Sequence, residues 1–306
     1  IILSVSTITL VYGRKHYELY YSQGINKIQS EVNSLKQQFG KDSVDVVINV
    51  EDYFLDYYRN KFQMDEHSKY LALSRADELR GFRNLVSESK NNYFVFATVR
   101  VYPTECVDIL NEYFPYAISR YQGHLTEIFF CSKIPHGSPM QSEVVFSTRN
   151  NFEGKINGWN YNENKVSADS VSEDKYYKYE PADEFGVEFS IPLEELIKDK
   201  NDILNISVNA KMADTATSPL LVMTMENDGK ALDWRASKFT DYLNPDETGT
   251  VFLSARFSDI HVSTKNTNLK IYIWNKNHVS FLIKKFKVSS KNENPYFYGL
   301  FENFSE

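Results

Sequence analysis

The sequence is poor in the residues that build metal sites and disulfide frameworks. It has two cysteines in 306 residues, Cys106 and Cys131, and both lie in apolar segments without a C-x-x-C pair. We therefore expect two buried thiols, and a disulfide stays open only if a helix and a strand bring them together. The six histidines have no H-x-x-x-H spacing, which argues against a zinc site. No metal and no other cofactor is predicted.

Motifs of the common enzyme classes are absent as well. The chain has no G-x-G-x-x-G, no G-x-x-x-x-G-K-[ST] and no G-x-S-x-G, which removes the usual signatures of nucleotide binding and of serine hydrolases. It has no Asp-x-Asp, with which a nucleotide-sugar transferase would hold a metal against the diphosphate. The 41 acidic residues offer many carboxylate pairs for glycoside hydrolysis, but the sequence does not choose between them. No catalytic residue is predicted, and a hydrolase site in the first half is kept as an alternative.

Positive charge and long apolar runs are also scarce. The net charge of −7 argues against nucleic acid as a partner, because neutralising phosphates needs clustered Lys and Arg. Residues 1–12 are apolar, but a membrane span takes about 20 residues and no basic region precedes them as in a signal peptide. The β-branched run Val5–Val11 favours a first strand; the alternative is the end of a transmembrane helix, with Arg14 and Lys15 at the lipid boundary. Because the chain lacks a starting Met, we expect a piece of a longer protein.

The first half alternates predicted strands and helices. Strands are predicted at Val44–Val50, Tyr93–Val101 and Thr126–Cys131. Helices are predicted at His16–Gln38, at Glu51–Phe62 and from Thr104 to about Tyr121, and a further helix is predicted after a capping box at Ser74–Asp77. This alternation indicates parallel pairing and a layered, Rossmann-like α/β domain over residues 1–133. A ligand of such a domain would lie beyond the carboxyl ends of the strands, near Asn49 and Tyr102.

The second half, from residue 140 to 306, is predicted to be nearly all strand. The predicted strands are Glu143–Arg149, Phe185–Ile191, Leu204–Met212, Leu220–Glu226, Thr250–Phe257, Leu269–Trp274 and Phe281–Val288. In Leu269–Trp274 the alternation places Leu, Ile and Ile on one face and Lys, Tyr and Trp on the other. Many short strands separated by turn residues are typical of a two-sheet β-sandwich, and we expect a jelly roll.

Two groups of residues are candidates for sugar binding, which needs an aromatic face for the pyranose ring and polar groups for its hydroxyls. One group is Trp159 with Tyr161. The other is Asp233, Trp234 and Arg235 with Tyr242. Core packing is the competing interpretation for Trp159 and Trp274, and for Trp234 both interpretations stay open.

Several segments of the second half resemble those of a bacterial carbohydrate-binding jelly roll of the galactose-binding-like type. The segments are Asn151–Gly154 followed by Trp159, Glu188–Ser190, Asn227–Arg235, Ile271–Asn275 and Phe281–Val288. The resemblance implies glycan as the ligand. Lys284 and Lys285 stand where that family usually has an acidic pair, so we expect no metal at that position.

The whole chain resembles the extracytoplasmic C-terminal portion of bacterial membrane glycosyltransferases that are similar to dolichyl-phosphate-mannose protein mannosyltransferases. Tyr113–Ile118, Tyr121 and Thr126–Ser132 carry this resemblance in the first half. It implies a non-catalytic portion on the periplasmic side of the inner membrane, joined to the membrane through an upstream segment. The parent enzyme would use a polyprenyl-phosphate sugar, and this portion would assist recognition of glycan or acceptor. The alternative is a free-standing secreted glycan-binding protein.

Overall fold

The computed structural model describes residues 24–50, 68–71, 73, 78–99, 102–122, 126–139, 144–168, 174–199, 202–212, 218–257 and 260–291. The chain divides into two compact units, and the second of them spans Gln141–Asn294. The predicted first strand, the helix at 51–62 and the capping box at 74–77 lie outside the described residues. Within the described part of the chain, no helix is long and apolar enough to cross a membrane.

The described part of the first unit contains helices and one sheet. Its helices are α1 (Ile25–Phe39), α2 (Leu79–Glu88) and α3 (Glu105–Tyr113), and its strands are β1 (Val44–Asn49), β2 (Ser68–Leu71), β3 (Tyr93–Thr98), β4 (Tyr116–Gln122), β5 (Glu127–Ser132) and β6 (Ser138–Pro139). The described strands form a sheet in the order β2-β1-β3-β5-β4-β6. Buried residues of α1 share one hydrophobic cluster with β1, β3 and β5 on one face. On the other face, Phe82 of α2 packs against Phe96 of β3, with ring centroids 5.0 Å apart.

The sheet is mixed, so the predicted Rossmann-like domain over residues 1–133 is not supported. β1 pairs in parallel with β2 and β3, as the alternation predicts. However, β5 runs antiparallel to both β3 and β4, and β6 runs antiparallel to β4. The physical reason is the short connection: only four residues separate β4 from β5, whereas a parallel crossover needs a dozen or more.

The predicted helix from Thr104 to about Tyr121 is wrong beyond Tyr113. Helix α3 ends there, and the chain continues as β4. Pro115 explains the change, because proline has no amide hydrogen for a helix and disfavours helical geometry in the preceding residue. Phe114 accordingly leaves the helical region, with φ −131° and ψ 76°. Its ring packs against Phe94 of β3 at 5.0 Å.

Both cysteines are free and buried, as expected: Cys106 lies on α3 and Cys131 on β5. Burial raises the pKa of both thiols, that of Cys131 to about 12. These thiols are therefore protonated near neutral pH and act as small apolar core side chains.

The strands described in the second unit form two antiparallel sheets. Its strands are β7 (Val144–Asn150), β8 (Trp159–Asn160), β9 (Val166–Ala168), β10 (Lys175–Tyr179), β11 (Phe185–Pro192), β12 (Ile203–Met212), β13 (Leu220–Asn227), β14 (Lys230–Lys238), β15 (Thr248–Arg256), β16 (Asn268–Trp274) and β17 (Phe281–Lys291), with a short helix α4 (Leu193–Leu196) after β11. The β12 sheet has the order β15-β12-β17-β10-β9, with β7 also paired to β17. The β13 sheet has the order β14-β13-β16-β11-β8.

The two sheets pack face to face as a β-sandwich, as predicted. Trp159 of the β13 sheet contacts Phe286 of the β12 sheet with ring centroids 5.0 Å apart, and Phe146 contacts Phe189 at 6.4 Å. From β10 to β17, most connections carry the chain from one sheet to the other, which is the arrangement of a jelly roll.

Candidate functional site

The outward face of the β13 sheet presents side chains of β16 that alternate with core residues. Leu269, Ile271 and Ile273 are fully buried, whereas Lys270, Tyr272 and Trp274 are partly exposed. This is the division between two faces that the sequence pattern predicts. It directs Tyr272 and Trp274 away from the core.

A β-bulge in the neighbouring strand β11 adds Phe185 to this face. Phe185 pairs with Trp274 and Glu188 pairs with Tyr272, with a register shift between them. Three steps along β11 therefore match two steps along β16, so Phe185 and Glu188 face the same side despite their odd spacing. The Phe185 ring lies nearly parallel to Trp274 at 6.4 Å and edge-on to Tyr272 at 5.8 Å. It remains 56% exposed.

The core beneath the bulge leaves no room for a side chain at Gly186. A Cβ there would lie 2.7 Å from the ring of Tyr179. Tyr179 is fully buried, stacks on Phe281 at 4.3 Å, and its hydroxyl accepts a hydrogen bond from the Val187 amide at 2.8 Å. The position of Phe185 is thus set by a packed core residue rather than by a free loop.

Trp234 on β14 is the fourth aromatic residue of this surface. It pairs with Thr224 of β13, which in turn pairs with Lys270 of β16. Because residues paired across neighbouring strands point to the same side of a sheet, Trp234 shares the face of Lys270. It is 51% exposed. We call Phe185, Trp234, Tyr272 and Trp274 the aromatic face.

Charged groups lie among these rings. The Lys270 ammonium donates to Glu226 at 2.7 Å, and this hydrogen bond, together with the charges of Glu226 and Glu188 and the nearby Tyr272, raises the pKa of Lys270. The Trp274 indole nitrogen donates to the Glu184 carboxylate at 3.2 Å. Carboxylates can accept and an ammonium can donate hydrogen bonds to hydroxyl groups, so the face offers both beside its rings. Among the described residues, no group of three His, Cys, Asp or Glu side chains is placed to hold a metal ion.

Trp159 and Tyr242, predicted as sugar-binding residues, lie in the core. Trp159 is nearly fully buried, its indole nitrogen donates to Thr148 at 3.0 Å, and its ring packs on Phe189 at 4.9 Å. Tyr242 is fully buried beside Phe252. A buried ring cannot stack on a sugar at the surface, so these two candidates are corrected to core residues.

The other predicted residues lie near the surface but separate into different places. The Tyr161 hydroxyl donates to the Gly154 carbonyl at 2.9 Å, and its ring contacts Phe152 at 5.4 Å. Asp233 and Arg235 form an ion pair with an Nε–Oδ2 distance of 3.1 Å, on the side of β14 opposite Trp234. Of the predicted set, only Trp234 belongs to the aromatic face.

Sequence reasoning missed Phe185 and Tyr272, and it favoured core packing for Trp274. The alternation of β16 already carried the signal for Tyr272 and Trp274. No local signal marks Phe185, because its orientation depends on the bulge.

The described residues at the carboxyl ends of β1 and β3 in the first unit form a buried polar network. The Asn49 amide donates to Thr98 at 3.1 Å and accepts from the Leu73 amide at 2.7 Å. Tyr102 donates to the buried Glu127 carboxylate at 2.8 Å. These bonds join neighbouring chain segments to each other, which is a structural role.

No protein-family model matches the chain, and no curated protein matches its sequence. Solved structures similar to about half of this chain include carbohydrate-binding modules. The CBM22-1 xylan-binding domain of Xyn10C from Paenibacillus barcinonensis is 15% identical and covers 50% of this chain and 97% of its own, with a TM-score of 0.32. The C-terminal family 22 module of Xyn10B from Clostridium thermocellum is 13% identical over 46% and 92%, with a TM-score of 0.32. A CBM4 structure is 9% identical over 44% and 95%, with a TM-score of 0.27. With TM-scores this low, the function has to be argued from the site itself.

Proposed function

We propose that the second unit is a glycan-binding module and that the aromatic face is its binding surface. The observation that carries this proposal is the contact of Phe185 with Tyr272 and Trp274 on the solvent side of one sheet, with Trp234 on the same side of that sheet; Phe185 and Trp234 are about half exposed. Large aromatic residues are normally buried, and a grouped exposed patch marks an interaction surface.

The chemistry of the face suits a sugar better than a purely apolar ligand. A pyranose presents a C–H face that packs on an aromatic ring and hydroxyls that need hydrogen-bond partners. Glu188, Glu226 and Lys270 provide such partners next to Tyr272. Because the rings stand on paired strands, little conformational entropy is lost when a ligand binds.

The test is a glycan array with the whole chain, followed by calorimetric titration of the best ligands. We expect Trp274→Ala and Trp234→Ala each to weaken binding by about tenfold or more, since they remove stacking surfaces. Tyr176→Ala is the matched control, because Tyr176 is a partly exposed aromatic residue on the outward side of β10 in the other sheet. A folded protein that binds no glycan, or variants that bind as well as the control, would contradict the proposal.

The wider setting stays a prediction from the resemblance: a non-catalytic, extracytoplasmic portion of a membrane glycosyltransferase that assists glycan or acceptor recognition. Sequence upstream of residue 1 tests it. Several apolar segments of about 20 residues are expected there. An upstream region without them would favour a secreted glycan-binding protein.

A further inference from the structure

Strand β14 forms an open edge of the β13 sheet. Among the described residues, β14 pairs with β13 alone. Apart from Trp234 at its centre, seven residues of β14 are at least partly exposed, and Leu232 is 44% exposed. The outer side of an edge strand can present N–H and C=O groups with which another strand can pair.

The sequence of β14 is complementary to itself when it is read in the opposite direction. Trp234 is the middle residue of the nine-residue strand. If a second copy pairs antiparallel about a twofold axis at Trp234, then Asp233 lies opposite Arg235 of the other copy, and Arg235 lies opposite Asp233. Opposite charges placed across neighbouring strands are favourable. Each copy already holds Asp233 and Arg235 together at 3.1 Å, so the pairing would assemble four alternating charges.

We propose that the chain self-associates through β14, which joins two β13 sheets into one continuous sheet across a twofold axis. The twofold axis brings the two Trp234 side chains next to each other, and a contact of this kind uses the same surface on both copies. The proposed occupant of the edge is therefore a second copy, because the Asp233–Arg235 order of charges specifies its own partner.

Two features limit the strength of this contact. Lys230 and Lys238 of opposite copies would face each other at the strand ends, which is unfavourable. The register of β14 against β13 also shifts at Leu232, and such a bulge increases the local twist and interrupts regular pairing. The association is therefore weak and depends on concentration, with its main contacts between Leu232 and Ala236.

The test is sedimentation velocity with the whole chain from about 5 µM to about 500 µM, a range suited to weak dimers. The wild type is expected to shift from monomer towards dimer across this range. Arg235→Asp places two acidic residues opposite each other and should weaken association by about tenfold or more. The charge-swapped pair Asp233→Arg with Arg235→Asp should restore it. Lys285→Asp is the control, because it inverts an exposed charge on the outward side of β17.

A wild type that stays monomeric throughout would overturn the proposal. The same holds if Arg235→Asp dimerises like the wild type, or if the charge-swapped pair dimerises no more strongly than Arg235→Asp alone. Thermal unfolding checks that each variant is folded. Hydrogen exchange of the wild type provides an answer that needs no variant: the amides of β14 should become more protected as concentration rises. Unchanged exchange would also overturn it. Glycan binding by Trp274, which lies on β16, is measured separately, so failure of one proposal does not obscure the other.

Discussion

Gly186 illustrates how a single residue can determine the shape of a binding surface. It lies in the bulge that turns both Phe185 and Glu188 outward, directly over the buried ring of Tyr179. Replacing a hydrogen atom by a methyl group at this position would displace either the strand or the ring. The residue is therefore needed for its small size.

We expect Gly186→Ala to lower the free energy of unfolding by about 2 kcal/mol, because overpacking a buried contact forces the neighbouring atoms apart. Urea unfolding at pH 7 measures the change. Gly154→Ala is the control: a Cβ there meets nothing within 4 Å. Equal stability of the two variants would show that Tyr179 moves aside without cost.

Asp183 connects two turns through its carboxylate. Lys165 donates to both carboxylate oxygens, and the Glu180 amide donates to one of them at 2.8 Å. Burial alone would raise the pKa of Asp183, but the hydrogen bonds and the charge of Lys165 outweigh it and the pKa is lowered. A carboxyl group whose pKa is lowered by folding stabilises the folded state at pH values above its pKa in the unfolded chain, which is about 4. This contribution is lost as the pH falls through the pKa of the folded state.

Asp183→Asn should therefore lower the free energy of unfolding by about 1 kcal/mol at pH 7. The difference from the wild type should shrink as the pH falls from 4 towards 2, because the wild-type carboxyl group becomes neutral as well. Urea unfolding at several pH values measures it, with Asp228→Asn in an exposed turn as control. A difference that does not depend on pH would mean that the charge of Asp183 is not involved.

At the scale of elements, strand β16 and the segment after α3 show when a sequence pattern can be trusted. The alternation of β16 correctly separates its buried and outward residues. The sequence pattern suggested a helix that continues to about Tyr121, but Ala117 and Tyr121 lie on β4. Pro115 and the pairing of β4 with β5 outweigh the helical spacing, because a local pattern is weaker than a ladder of hydrogen bonds.

The two sides of β16 should respond differently to truncation. Ile273→Ala should lower the free energy of unfolding by about 3 kcal/mol, since it leaves a cavity between the sheets. Trp274→Ala should cost clearly less, because its ring is partly exposed, while it is expected to reduce glycan binding. Urea unfolding of both variants compares them. A larger loss of stability for Trp274→Ala would place that ring in the core.

At the scale of the whole molecule, the chain consists of two units with separate cores. The first has a hydrophobic cluster shared by α1 and its sheet, and the second buries the inner faces of its two sheets. All four residues of the aromatic face, and all of β14, belong to the second unit. The proposed glycan site and the proposed self-association therefore need only the β-sandwich.

We expect a fragment of residues 141–294 to fold by itself and to unfold in one cooperative transition, because it contains both sheets of the sandwich. Its affinity for the glycan found with the whole chain should be unchanged. Circular dichroism and calorimetric titration measure the two properties. An unfolded fragment would show that the sandwich depends on the rest of the chain.

By itself, the sequence determined the β-sandwich in the second half, the two faces of β16, the buried cysteines and the parallel pairing of β1 with β3. These properties follow from residue periodicity and apolarity, which act over a few neighbouring positions. Only the tertiary structure decided that the sheet of the first unit is mixed, that Trp159 and Tyr242 are core residues, and that Phe185 joins Tyr272, Trp274 and Trp234 at the surface. Those outcomes depend on strand partners, bulges and packing between residues far apart in the chain, which no local pattern specifies.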